Sequence, residues 1–82
     1  MKGENKALER KLEEVFVYAS KVYFYWRRKG KSHEEAVKAA TKGVLGLLEY
    51  KNIPIKEFIE YLAVTKKILD NFIRKVEEEL KE

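Results

Sequence analysis

Leu8, Leu12, Val15, Ala19, Val22 and Trp26 recur at alternating spacings of four and three residues. At 100° per residue these six positions fall within one arc of roughly 80°, the signature of a helix that buries a single stripe. The spacing predicts a helix over 4–28, ended by Arg27, Arg28 and Lys29 against the helix dipole and by Gly30. Inside it lies the run VFVYASKVYFYW, residues 15–26, with more apolar surface than one stripe needs. Phe16 and Tyr23 sit on the shoulder of the stripe. Val17 and Phe24 point almost directly away from it, and Tyr18 and Tyr25 flank it on one side.

The rest of the chain repeats the helical period. Ser32, with Glu35 three residues later, forms the sequence of a capping box. A second helix over 33–50 then carries Ala36, Val37, Ala40, Val44, Leu47 and Leu48 on its stripe. Beside that stripe lie Ala39, Gly43 and Gly46, almost bare of side chain. Each glycine costs about 1 kcal/mol in a helix interior, so the strip is expected to receive something bulky, and the rings of the first helix qualify. Ile53-Pro54 breaks the pattern again. A third helix over 54–80 has its seam at Ile55, Phe58, Ile59, Leu62, Leu69, Phe72, Ile73, Val76 and Leu80. No stretch alternates with period two for long enough to make a strand. Three helices with two short connectors predict an all-α, three-helix antiparallel (up-down-up) bundle, forming one domain over residues 1–82.

A chain of 82 residues buries a modest core and gains stability from a partner subunit. Absence of cysteine excludes disulfides and thiolate metal sites. The many Lys and Glu, with no Gln, give a thermophile-like composition. Net charge is concentrated: residues 1–31 hold nine basic and four acidic side chains, a balance of +5. Residues 32–51 balance at three each, and residues 52–82 hold six basic against seven acidic. The aromatic run is shorter than the roughly 20 residues a membrane span needs and contains Lys21, and no secretory signal pattern is visible, so a cytoplasmic location is expected.

Surplus apolar residues point to self-association. On a protein this small a contiguous aromatic patch marks an interface, and the commonest form is a symmetric homodimer. The residues assigned to it are Val17, Tyr18, Phe24 and Tyr25 on the first helix, with Tyr61, Val64 and Ile68 off the main stripe of the third.

Catalytic chemistry finds little footing. The single histidine, His33, adjoins the proposed cap Ser32, and neighbouring helical positions do not face each other. Gly43 and Gly46 lie mid-helix and make no phosphate loop. No cofactor or metal is expected. The segment Arg28-Lys29-Gly30-Lys31-Ser32-His33 resembles the R-x4-6-H motif of HEPN ribonucleases, small all-helical proteins whose active site forms across a dimer. That resemblance implies catalytic roles for Arg28 and His33. The segment departs from the family in having Lys after the Arg, where Asn, Asp or His is usual, and in placing Gly30 within the motif. Arg27, Arg28, Lys29 and Lys31 instead offer four cations beside Tyr23, Tyr25 and Trp26, suited to contacting nucleic-acid phosphates without sequence preference. An anionic membrane surface is a weaker fit, because the aromatics occupy several faces of the helix. The sequence is therefore expected to encode a non-enzymatic helical interaction module that homodimerises, with sequence-nonspecific nucleic-acid binding as the alternative and a HEPN-like ribonuclease as a remote one.

Overall fold

The computed structural model describes the backbone of residues 2–81 and the side chains of residues 6–81. Three helices account for nearly all of it: α1 (Lys2–Arg28), α2 (His33–Lys51) and α3 (Ile55–Lys81), with no strand among the described residues. The chain is all-α, as the periodicity predicts.

Both connectors stop their helices by the same device. Gly30 takes φ +92° and Asn52 φ +60°, the left-handed conformation that ends a helix. Past each, an N–H reaches back five residues, from Lys31 to the Trp26 carbonyl (3.0 Å) and from Ile53 to the Leu48 carbonyl (2.9 Å). Ile53, buried, plugs the second closure with an apolar contact. The capping box forms as the sequence specifies. The Glu35 N–H donates to Ser32 Oγ (3.2 Å), while the Ser32 N–H donates to the Glu35 carboxylate (3.1 Å). These donors hold the Glu35 carboxyl below its usual range, with the backbone bond the largest cause and the Ser32 hydroxyl next.

The α1–α2 hairpin is the principal packing unit. Leu12 and Val15 meet Val44 and Leu48, joined by Ile53 and Phe58 from the α2–α3 junction, and Val15 and Leu48 are almost wholly excluded from solvent. Gly43 lets the Tyr18 ring approach closely, since a Cβ there would lie 3.0 Å from Tyr18 Cε2. At Gly46 the expected close approach is absent: a Cβ would meet nothing within 4 Å. Lys51 Nζ donates to Glu14 at 3.0 Å and ties the end of α2 to the middle of α1.

α3 joins this hairpin through its first two turns and then leaves it. Phe58 is buried and Tyr61 packs beside it, yet Leu69, Phe72, Ile73, Val76 and Leu80 are all exposed. The third seam was expected to be core; only Phe58 of it is buried, Ile55, Ile59 and Leu62 stay exposed beside the hairpin, and the far part from Leu69 to Leu80 is uncovered within one chain. The dimensions give the reason. Two helices of 27 residues, each about 40 Å long, occupy 45 × 39 × 15 Å, so α3 crosses the hairpin and projects from it. The bundle is closed at one end and open at the other.

Candidate self-association surface

A groove of about 440 Å³ runs along the hairpin next to the place where α3 crosses. Phe16, Ala19, Ser20 and Phe24 of α1 form one side, and Val37, Ala40, Val44 and Leu45 of α2 the other. Ile55, Ile59 and Leu62 of α3 close its end. No charged side chain lines it, and its hydroxyls have partners. Ser20 Oγ donates to the Phe16 carbonyl (3.2 Å) and Thr41 Oγ1 to the Val37 carbonyl (2.8 Å), leaving their carbon faces toward the groove. An apolar surface with its polar atoms satisfied is built to receive apolar side chains, not a polar substrate.

The residues assigned to self-association from sequence are divided among several places. Val17 and Phe24 are exposed and line a shallow depression with Lys21 and Arg28 on the outer face of α1. Tyr25 is exposed, with the Lys29 ammonium 5.4 Å from its ring centroid. Tyr18 turns toward Gly43 and serves the hairpin. Tyr61 belongs to the intramolecular core, edge-on to Phe16 and stacked on Phe58 at centroid separations of 6.3 Å each. Val64 and Ile68 are exposed on the flank of α3 opposite the groove, facing Leu8 and Leu12 across a second depression. The larger apolar surface is the exposed seam of α3 from Ile55 to Leu80, whose periodicity predicts core.

At the tip of the hairpin the basic residues are exposed, and two are partly engaged. Arg27 donates to Tyr23 Oη (3.0 Å), and that hydroxyl lies 2.8 Å from His33 Nδ1. Arg27 also stands 5.9 Å from the Tyr23 ring centroid. The direction of the Tyr23–His33 bond follows the histidine tautomer: a neutral ring protonated on Nε2 accepts the tyrosine proton at Nδ1, and one protonated on Nδ1 donates to the hydroxyl oxygen. Arg28 lines the depression beside Phe24 on the outer face of α1, while His33 is held by Tyr23, and among the described residues no hydrogen bond joins the pair named by the ribonuclease resemblance. Lys31 extends into solvent. Among the described residues no cluster of three or more His, Asp or Glu is placed to hold a metal ion, and no helix is long and apolar enough to cross a membrane.

Comparison with protein-family models, with curated proteins and with solved structures finds no match.

Proposed function

We propose that this chain is a non-enzymatic helical interaction module that works as a homodimer, joined through the uncovered apolar surfaces of its first and third helices. The supporting observation is the amount of surface. A compact monomer of 9.7 kDa exposes about 5,100 Å² by the scaling of area with mass. This chain exposes 7096 Å². The excess, about 2,000 Å² per chain, is what a subunit of an obligate dimer hides. The radius of gyration agrees, at 15.1 Å against about 12 Å for a compact domain of this length. Light scattering coupled to size-exclusion chromatography tests the reading: a mass of twice 9.7 kDa is expected, and a monomer across micromolar concentrations would refute it.

A second reading rests on the exposed cluster Arg27, Arg28, Lys29 and Lys31 at the hairpin tip. Sequence-nonspecific binding of DNA or RNA through these cations predicts an affinity that falls steeply with salt and disappears when all four are replaced by Ala. Absence of binding at low salt would remove it.

A further inference from the structure

The seam of α3 is a strict heptad. From Ile55 the positions 59, 62, 66, 69, 73, 76 and 80 follow at alternating spacings of four and three, all apolar except Lys66. A second apolar line, Phe58, Tyr61, Ile68 and Phe72, runs about 100° around the helix from the first. Near the start of α3 this second line presses on the chain's own hairpin, where Phe58 is 6% exposed. Further along, Ile68 and Phe72 on the same line are 61% and 65% exposed. The heptad line runs the length of α3 and the second from Phe58 to Phe72, so the helix is patterned for two neighbours over that stretch, while one chain buries only Phe58 and half-buries Tyr61.

We infer that a second copy covers α3, with the two α3 helices antiparallel about a two-fold axis between Lys67 and Ile68, and with the far half of each α3 seated in the apolar groove of its partner. This rests on the homodimer reading and specifies its interface. In that register Ile59 faces the partner's Val76, Leu62 faces the partner's Ile73, and Ile55 faces the partner's Leu80. Because Ile55, Ile59 and Leu62 are the wall of the groove, whatever packs against them enters it. The same rotation carries the partner's hairpin toward Phe72, while Ile68 faces Leu8 and Leu12 of its own α1. One operation thus covers the heptad seam, the far end of the second line and the groove, and both copies do so identically, as a two-fold contact requires.

Charge selects this direction over the parallel one. A parallel pair would set Lys66 against Lys66 of the other copy at the seam, where like charges repel. The antiparallel pair sets Lys66 against the partner's Leu69, and its ammonium keeps Asp70 of its own helix at 4.0 Å. On the flank, Lys56 comes opposite the partner's Glu77, and symmetry supplies that complementary pair twice. The parallel alignment offers no such match, pairing Phe72 with Glu77 and Thr65 with Asp70 instead.

The chain has no cysteine, so single replacements report the pairing cleanly. Ile59→Cys and Val76→Cys proteins are oxidised separately and after mixing, then resolved without reductant, with light scattering run on the reduced samples. A disulfide-linked dimer that forms in the mixture and is at background in either protein alone is the expected result. Efficient linkage of Ile59→Cys to itself means a parallel pair and overturns the inference. A doubled mass with no linkage in any sample places the interface elsewhere, overturning the inference while leaving the homodimer intact. A monomeric mass overturns both. Charge reversal gives an independent check on two exposed positions: Lys56→Glu and Glu77→Lys should each weaken dimerisation several-fold, and the double variant should recover it. Purely additive losses would again overturn the antiparallel register.

Discussion

Gly43 and Gly46 lie in the same bare strip of α2 but differ in what a methyl group would meet, and this makes a quantitative test of the hairpin. Replacing a helix-interior glycine by alanine gains about 1 kcal/mol from backbone entropy and propensity. At Gly46 the new Cβ enters open space, so Gly46→Ala should realise the whole gain. At Gly43 it would lie 3.0 Å from Tyr18 Cε2 and 3.2 Å from Tyr18 Oη, well inside the roughly 3.5–4.0 Å of carbon–carbon contact. The Tyr18 ring is 41% exposed and free to swing outward, at about 0.5–1.5 kcal/mol for an off-rotamer torsion. The two effects nearly cancel, so Gly43→Ala should leave stability within about 0.5 kcal/mol of the parent. In a Tyr18→Ala background nothing opposes the new methyl, and Gly43→Ala should then gain about 1 kcal/mol. The cycle yields a coupling of about 1 kcal/mol between positions 18 and 43 and none between 18 and 46. Urea unfolding followed by circular dichroism at one fixed chain concentration measures it, since mass action would otherwise shift a self-associating protein. Equal increments at Gly43 in both backgrounds would show that the ring does not pack as described, and a loss at Gly46 would show that the space there is not open.

Other perturbations separate the forces holding the helices. Ser32→Ala removes the acceptor of the Glu35 N–H and should cost about 1 kcal/mol, read from the urea midpoint. Because the folded-state pKa of Glu35 lies below the ordinary value of 4.5, its contribution is present above that pH and fades as pH falls through the lowered value. Glu35→Gln should therefore lag the parent at pH 6 and draw level with it as the pH falls well below 4.5. Leu48→Ala, at 1% exposure in the centre of the core, should cost about 2–5 kcal/mol and leave so small a domain largely unfolded at 37 °C by thermal scan. Lys51→Ala should cost less than about 1 kcal/mol in the same scan, because Glu14 is more than half exposed and the pair is screened by water.

Local signals were well legible in the chain, and long-range ones were not. The six-residue stripe of α1 is the buried or half-buried face of that helix, Ser32 and Glu35 make the cap their spacing implies, and Gly30 terminates α1 with a left-handed turn. Each depends on neighbours within a turn or two, where 3.6-residue geometry decides the outcome. Tyr18 shows the next level of difficulty. Its angle beside the stripe marked it as surplus, but the bare Gly43 on α2 draws the ring inward. Tyr61 likewise lies off the heptad seam of α3 yet packs with Phe16, because α3 turns its second apolar line toward the hairpin. An apolar line states that a face must be covered and leaves open which neighbour covers it. For that reason the seam from Leu69 to Leu80 read as core, although it is exposed in a single chain.

The same ambiguity explains why α3 is a helix at all. Helical stability in water comes mainly from packing an amphipathic face, and local pairs add little. Beyond Leu62 the local support consists of exposed contacts such as Lys66 with Asp70 and Lys75 with Glu78, both at 4.0 Å, each worth a few tenths of a kcal/mol at about 0.2–0.5 per pair. Against this stand five large apolar side chains, Leu69, Phe72, Ile73, Val76 and Leu80, held in water. Burying one such side chain contributes roughly 1.5–3 kcal/mol, so covering this face outweighs every local term in the helix. Under the pairing proposed above, a second copy supplies that cover, and the order of the far half of α3 becomes coupled to association while the α1–α2 hairpin keeps its own core.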